Sequence, residues 1–303
     1  MTTQSGPPAT RAGVIHDIGY RHYEGPRLGR AAIIRALGWH SLRSAFGIGR
    51  GAKAKIIPVI AFVFMCLPAV VNAISLATHG GQVVKYDTYV FQLRVFIMII
   101  FVAAQAPELV SRDLRSHVLP LYFSRPLRRL DYPAAKLGAF ILACLALLEI
   151  PLLLLYLGSI SQVGGAGAIW DQTRALIPGL LVGLAWAVLL ASIGLALASL
   201  SGRRAYATGS IAICFFLSWA LAGLLSGVTS EGGGGAGAGA RLSGLVSPFT
   251  VLDGLRQWLG GTSPGPNPPP GNLGPLYGVM FLLLLAAAVG GLAARYRKAG
   301  VLQ

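Results

Sequence analysis

Six long stretches of apolar residues dominate this sequence. They cover about residues 56–77, 88–107, 134–158, 175–200, 207–228 and 274–294. The hydrocarbon core of a bilayer is ~30 Å thick, so a helix that rises ~1.5 Å per residue needs ~20 apolar residues to cross it. The pattern therefore predicts an all-α membrane protein with six transmembrane helices.

The composition agrees with a membrane location. Charged residues make up 12% of the chain and apolar residues 54%, whereas a soluble domain has about 25% charged residues. In water such a chain would expose a large apolar surface and aggregate. A nucleic-acid-binding protein can be as basic as this chain, with its net charge of +15, but not as apolar. We therefore expect the lipid membrane, and no nucleic acid, as its environment.

The basic residues concentrate on alternate connections between the spans. If the N-terminus is cytoplasmic, 20 of the 25 Lys and Arg residues lie on the cytoplasmic side and four on the other, with Arg94 inside the second span. Cytoplasmic segments of membrane proteins carry an excess of Lys and Arg. The sequence therefore predicts cytoplasmic termini, with residues 1–30 and 295–303 as tails. A Gly-, Ala- and Arg-rich chain of this kind is typical of bacteria, where the membrane would be the plasma membrane.

Residues 31–55 have the pattern of a basic amphipathic helix before the first span. Apolar side chains recur at helical spacing, whereas Arg35 and Arg43 fall mostly on other positions, and Trp39 suits the depth of the lipid headgroups. We expect this helix to lie on the cytoplasmic surface of the membrane. An ordinary cytoplasmic helix is the alternative.

The outer loop 229–273 combines linkers with a short apolar pattern. Its two ends are rich in Gly and Pro, which is typical of flexible or extended linkers. Between them, apolar residues repeat mostly every three or four positions over 242–259. This predicts an amphipathic helical element, broken near Pro248, that lies at the outer interface or enters it.

Two ionisable residues, Arg94 and Glu149, lie within predicted spans. Charges inside a membrane are costly and are usually paired or functional. The two spans are consecutive, and both residues lie toward their outer ends, so an ion pair or a shared aqueous cavity is one expectation. The alternative is that Arg94 extends to the outer surface, while Glu149 is protonated or hydrogen bonded to a polar neighbour.

The sequence lacks the residue patterns of the common active sites. It contains no HExxH, no CxxC and no phosphate-binding GxxxxGK[ST], and its five histidines lie outside the predicted spans. The glycine-rich stretch 47–53 has neither the spacing nor the final Ser or Thr of a phosphate-binding loop. We therefore expect no enzyme activity and no cofactor or metal bound by this chain.

The loop 108–133 differs from a connection that serves only topology. It interleaves acidic and basic residues with Leu, Val, Tyr and Phe, and Pro120 and Pro126 divide it into short elements. A loop that only set the orientation of the spans would need no acids and no aromatic side chains. We therefore expect this loop to contact a protein partner, the alternative being that its arginines only set topology and bind anionic lipid.

From about residue 30 to its end, the chain resembles the ABC-2 type (type-2 exporter) ABC transporter permeases. The resemblance rests on six spans with cytoplasmic termini, the basic helix before the first span and the amphipathic outer element. The amino-acid sequence of the loop supports the resemblance: ELVSRD at 108–113, LYFSRP at 121–126 and DYPAAK at 131–136 are similar to the loop after the second span in bacterial members.

The resemblance implies the membrane subunit of an exporter. Two permeases, either two copies of this chain or two homologous chains, would pair with two separate ATPase subunits that hold ATP and Mg²⁺. The loop 108–133 would be a coupling loop that docks on the ATPase, and the helix at 31–50 would contact the same subunit. The residues that we assign to coupling are Glu108, Arg112, Asp113, Leu114, Arg115, Tyr122, Phe123 and Arg125.

Two other functions remain open from the sequence. The first is a secondary transporter driven by an ion gradient, although such folds often show an internal repeat and more intramembrane acids. The second is a membrane anchor or sensor without transport activity, although the outer loops consist mostly of linkers.

Overall fold

The computed structural model describes residues 25, 28–79, 86, 94–116, 118–124, 126–230, 238–259 and 270–299. The regular structure in these ranges is helical, without strands, and this confirms the predicted all-α class. The helices are α1 (Arg30–Ala45), α2 (Ala52–His79), α3 (Arg94–Leu109), α4 (Ser111–Arg115), α5 (Leu119–Phe123), α6 (Asp131–Ile160), α7 (Ala166–Ser199), α8 (Arg204–Ser230), α9 (Ala238–Ser243), α10 (Pro248–Trp258) and α11 (Gly274–Ala299).

Within the described ranges, six helical segments are long and apolar enough to cross a membrane. They are Ala52–Ser75, Val95–Arg115, Asp131–Ile160, Ala166–Ser199, Arg204–Thr229 and Gly271–Arg297. Large apolar side chains are exposed along them, such as Phe64 on α2 and Leu224 on α8. An apolar surface of this extent indicates contact with lipid, so the chain is a multi-pass membrane protein. The six predicted spans are confirmed, although residues 88–93 of the second lie outside the described ranges.

Helix α3 is the central helix of the bundle. Of the residues in its most apolar stretch, 78% are buried, against 17% for the corresponding stretches of α8 and α11. It packs against α2, α7 and α8. The ring of Phe101 on α3 stacks on the ring of Phe140 on α6 at a centroid distance of 6.2 Å. Helix α3 is therefore the most buried of the six spans, whereas α8 and α11 expose most of their own apolar surface.

The connections that the sequence places on the cytoplasmic side meet at one end of the bundle, which we call the basic end. It comprises residues 28–51, 108–133, 200–204 and 295–297. Arg50 before α2 and Arg204 at the start of α8 both contact Glu108 near the end of α3. Tyr132 in α6 packs against Tyr296 in α11 at 5.2 Å between ring centroids. The six spans therefore run alternately up and down.

Helix α10 lies inside the bundle, at the end opposite the basic end. Its first residues are buried, and the ring of Phe249 contacts Trp186 and Phe215, each at a centroid distance of 5.4 Å. Trp186 and Phe215 lie near the middle of the apolar parts of α7 and α8. The helical element predicted over 242–259, broken near Pro248, is present as α10, whereas α9 begins at Ala238 and lies mostly before the predicted range. Helix α10 begins about midway through the bundle.

A buried ion pair lies on α10. Arg256 donates to Asp253 Oδ1 through Nη2 at 2.9 Å and through Nε at 3.1 Å. Gln257 Nε2 donates to the other carboxylate oxygen at 2.9 Å. The side chains of Asp253 and Arg256 are 0% and 1% exposed. Charges this deeply buried require such partners, because the unpaired charge would lose its hydration without compensation.

The crossing of α7 and α3 depends on the absence of a side chain at Gly194. A Cβ atom built there would lie 2.4 Å from Val102 Cγ1, well inside van der Waals contact. Val102 is fully buried, and its β-branched side chain has few alternative rotamers. The two helices can therefore approach this closely only because residue 194 is glycine.

We expect Gly194→Ala to lower the free energy of unfolding by about 1–3 kcal/mol, the usual cost of overpacking a core. Thermal denaturation of the purified protein in detergent micelles would measure the loss. Gly223→Ala on α8 is the matched control, because a Cβ there meets nothing within 4 Å and alanine favours a helix. An equal loss for both variants would contradict the close approach at Gly194.

Candidate functional site at the basic end

An ion pair at its first residue holds α1 against the bundle. Arg30 donates through Nε and Nη2 to the two oxygens of Asp131, at 2.6 and 2.5 Å. The backbone N–H of Arg128 donates to the same carboxylate at 2.8 Å. Hydrogen bonding to Asp131 raises the pKa of Arg30, so the guanidinium stays charged. The start of α1 is thereby connected to the start of α6.

The two faces of α1 have different surroundings. Leu37 and Ala45 are buried against the bundle, where α1 packs on α3 and α6. Arg35, Trp39 and Arg43 recur every four residues on the opposite face and are exposed, Trp39 to 63%. A helix is therefore present with one free basic and aromatic face, but it ends at Ala45 and is shorter than the predicted 31–55, because the turn at 46–51 separates it from α2. Its location at the membrane surface stays a prediction.

Glu108 links three elements of the basic end. Its side chain is only 7% exposed and forms ion pairs with Arg50 and Arg204, with 2.5 Å between Arg50 Nη2 and Glu108 Oε2. Arg50 follows a turn in which Gly47 and Gly49 have φ values of 69° and 83°, a region that favours glycine. The carboxylate therefore connects the α1–α2 turn, the end of α3 and the start of α8.

Asp113 links the loop 108–133 to α6. Its carboxylate Oδ2 lies 2.9 Å from Lys136 Nζ and accepts a hydrogen bond of 2.8 Å from the hydroxyl of Tyr132. The Lys136 side chain is 6% exposed and that of Asp113 is 16% exposed. The Tyr132 ring contacts the ring of Tyr122 on α5 at 5.4 Å. Two consecutive short helices, α4 and α5, are thus held on the first turns of a membrane-spanning helix.

A third contact joins α4 to α7. Ser111 is fully buried, and its hydroxyl donates to the backbone carbonyl of Ala198 at 2.9 Å. Leu114, one turn later, packs against the main core. The loop 108–133 is therefore anchored to α6, α7 and α8, and any displacement of α4 would strain contacts to all three helices.

A groove of about 660 Å³ separates the free side of α1 from α4 and α5. Trp39 and Arg43 of α1 form one wall, and Arg112 and Tyr122 form part of the other. The braced carboxylates Glu108 and Asp113 lie at its base. The groove thus offers guanidinium groups and aromatic rings on a rigid support, which suits a protein segment with acidic and apolar side chains.

The residues predicted for coupling fall into four groups. Arg112 and Arg115 are exposed, whereas Leu114 and Tyr122 are half-buried. Glu108 and Asp113 are engaged in ion pairs within the chain. The side chain of Phe123 and the whole of Arg125 lie outside the described residues.

Sequence reasoning missed several residues of this site. It did not assign a role to Leu121 on α5, which is 69% exposed, or to Lys136, Arg50 and Arg204, which neutralise the two carboxylates. The exposed Leu121 could have been suspected because it lies among the basic residues of a connecting loop. The ion-pair partners carried no such signal, because 58 residues separate Arg50 from Glu108.

Of the predicted pair of Arg94 and Glu149, the structure describes the side chain of Glu149. Arg94 begins α3, but its side chain lies outside the described residues. Glu149 packs against Gly183 on α7, where a Cβ atom would lie 2.2 Å from its Oε1. Both of its carboxylate oxygens are buried without a hydrogen-bond partner within the described ranges. The ion pair stays a prediction, and the small residue at 183 makes room for the carboxylate.

Comparisons with known proteins identify no family. No family model matches the sequence, and no curated protein matches it significantly. In the part of the chain that the structure describes, no cluster of three or more His, Cys, Asp or Glu side chains could hold a metal ion. The geometry of the basic end is therefore the main basis for a functional assignment.

Proposed function

We propose that this chain is the membrane-spanning permease subunit of an ATP-binding-cassette exporter in a bacterial plasma membrane. Its basic end faces the cytoplasm, as the excess of Lys and Arg there favours. The α1 helix lies at that membrane surface. The chain works with a second permease, either a copy or a homologue, and with separate ATPase subunits that bind ATP and Mg²⁺.

The observation that carries this proposal is the bracing of the loop 108–133. Force from a partner on α4 and α5 would pass through Asp113 to α6 and through Ser111 to α7. Through Glu108 it would reach α8 and the turn before α2. A rigid connection of this kind is what a switch driven by a separate motor subunit needs, because packed elements move as bodies. A connection that served topology alone would need no such contacts.

The exposed residues around the groove are the docking surface in this proposal. Trp39, Arg43, Arg112 and Leu121 face outward, while Glu108 and Asp113 hold the support from within. Aromatic and arginine side chains carry much of the binding energy of protein interfaces. The complementary surface of the ATPase is expected to present carboxylates and an apolar pocket. Leu114, Arg115, Tyr122, Phe123 and Arg125 remain assigned to the coupling loop.

Affinity purification from native membranes tests the docking surface. We expect an ATPase subunit to co-purify, and expect Trp39→Ala and Leu121→Ala each to weaken its binding by about 2 kcal/mol, or about 30-fold, as truncation of an interface anchor does. Binding to the permease in detergent or nanodiscs would be measured by titration with the isolated ATPase.

The control variants truncate the same types of side chain, leucine and tryptophan, at exposed positions away from the groove. Leu157→Ala removes an exposed leucine from α6 far from the groove, and Trp170→Ala removes an exposed tryptophan from the opposite end. Both are expected to bind the ATPase as the wild type does. The proposal is wrong if no ATPase co-purifies, or if ATP hydrolysis by the partner never depends on this chain.

The buried carboxylate of Glu149 favours a second candidate, an ion-gradient-driven transporter. Its oxygens lack a partner within the described ranges, and an acid inside a membrane often takes part in proton or ion coupling. Vesicles that contain the protein but no ATP would distinguish the two functions. Transport driven by a proton gradient and lost in Glu149→Gln would favour the second candidate over the exporter.

A further inference from the structure

A second groove runs along the outside of the bundle, between α2, α3, α4 and α8. Two cavities form it and share Ile57 of α2. The first, about 640 Å³, lies between α2 and α3 within the apolar zone. The second, about 1110 Å³, lies at the basic end, between α2, α4 and α8. A molecule that filled both would need an apolar part and a polar part.

The apolar cavity has the length of one membrane leaflet. Its α2 wall includes Ile57, Ile60, Phe64 and Pro68, which lie three or four residues apart on one helix face. From Ile57 to Pro68 this face is about 16 Å long at ~1.5 Å per residue, close to half of the ~30 Å hydrocarbon core. The cavity therefore suits a hydrocarbon chain that ends near the middle of the bilayer.

The cavity at the basic end is strongly cationic. Arg115, Arg203 and Arg204 line it, and Arg50 and Lys53 line a small adjoining cavity of about 370 Å³. The carboxylate of Glu108, which also lines the adjoining cavity, compensates only part of this charge. Within the described ranges Arg115 and Arg203 have no acidic partner. An anion here would therefore gain attraction that the chain itself does not supply.

Within the part of the chain that the structure describes, Gln105 provides an unused hydrogen-bond acceptor in the adjoining cavity beside the cationic part. It is 3% exposed, lines the adjoining cavity beside Ile57, and its Oε1 has no hydrogen-bond partner within the described ranges. A buried amide without a partner costs free energy unless a ligand or water satisfies it. A hydroxyl or amine group of a bound lipid would supply the missing donor at the depth of the headgroup.

We propose that this groove binds one anionic phospholipid from the adjoining leaflet. Its phosphate lies between Arg115 and Arg203, its polar headgroup reaches Gln105, and one acyl chain follows the α2 face to Pro68. A soluble anion would leave the apolar cavity empty, and a zwitterionic lipid would leave the excess positive charge uncompensated. The proposal requires only a membrane location and does not depend on an ATPase partner.

Native mass spectrometry of the delipidated protein tests the site. The protein is titrated with phosphatidylglycerol and with phosphatidylcholine that has the same acyl chains. We expect one phosphatidylglycerol to bind in preference. Each arginine near a headgroup contributes about fivefold in affinity, so Arg115→Gln and Arg203→Gln should each weaken this binding about fivefold. Arg297→Gln on α11 removes an exposed charge from the same end and should leave it unchanged.

A steric pair of variants tests the apolar part. Ile60→Trp places a large ring in the groove, whereas Val59→Trp changes the neighbouring residue, which does not line it. Ile60 and Val59 are similarly exposed, at 50% and 56%, so any general effect of tryptophan should be the same. We expect only Ile60→Trp to reduce the retained phosphatidylglycerol.

Several outcomes would overturn the proposal. One is equal binding of the two lipids together with unchanged binding in the arginine variants. Another is equal loss in Ile60→Trp and Val59→Trp. Competition by glycerol 3-phosphate as strong as that by the whole lipid would assign the cationic cavity to a soluble anion instead. A dimer that retains no phosphatidylglycerol would indicate that a second copy of the chain covers the groove.

Discussion

Asp113→Asn should lower the free energy of unfolding by about 3 kcal/mol, because it leaves the Lys136 ammonium buried opposite a neutral amide. Breaking a buried ion pair from one side typically costs about 3–5 kcal/mol. We expect a loss at the lower end of this range because the Asp113 side chain is 16% exposed. Tyr132 also loses a charged acceptor for its hydroxyl. Thermal or chemical denaturation in detergent measures the change.

A charge exchange separates bracing from direct docking. If Asp113 acts by pairing with Lys136, Asp113→Lys should be destabilised and addition of Lys136→Asp should restore most of the stability, since contacting residues are not additive. Binding of the ATPase that we propose as a partner should follow stability across these variants. An Asp113→Asn protein that is as stable as the wild type but no longer binds the ATPase would instead place this carboxylate in the interface.

Asp253→Asn should have the largest effect on stability, about 3–5 kcal/mol. The substitution leaves the Arg256 charge buried opposite a neutral side chain, and the side chains at both positions are almost fully buried. The damage should be local to α10, because its start contacts Trp186 and Phe215 inside the bundle. We expect faster proteolysis within 238–259 and a lower denaturation midpoint.

The matched control for this substitution is Asp171→Asn on α7. Asp171 lies at the same end of the bundle but is exposed, and isolated surface charges change stability by less than about 1 kcal/mol. Asp253→Leu provides a second comparison, because an apolar side chain removes the hydrogen-bond acceptors as well as the charge and should be at least as damaging. Wild-type stability in Asp253→Asn would show that the ion pair contributes nothing to the position of α10.

The spans and the helix before them were predictable because each depends on a short stretch of sequence. A bilayer requires about 20 apolar residues in succession, so the sequence of residues 134–158 predicts a spanning helix whatever packs beside it. The break before Pro248 was likewise local, since proline lacks the N–H that continues a helix. The depth of α10 in the bundle could not be predicted from a short stretch of sequence. It depends on Phe249 fitting between Trp186 and Phe215, which lie far away in the sequence.

The candidate site was only partly readable from sequence. The mixture of charges and aromatic residues in 108–133 marked the segment, and Arg112 and Tyr122 do line the groove. The same reasoning gave Glu108 and Asp113 the role of docking charges, yet both are neutralised within the chain by Arg50, Arg204 and Lys136. A carboxylate has the same appearance in a sequence whether it faces a partner or a neighbouring helix.

The sequence by itself determined the helical class, the number of spans and the one-sided distribution of positive charge. These properties follow from the free energy of placing each segment in lipid or water, which is nearly a sum over its own residues. The tertiary structure alone decided which charged side chains form ion pairs, how deeply α10 enters the bundle, and where the two grooves lie. Each of these depends on the distance between groups that the chain brings together from separate helices.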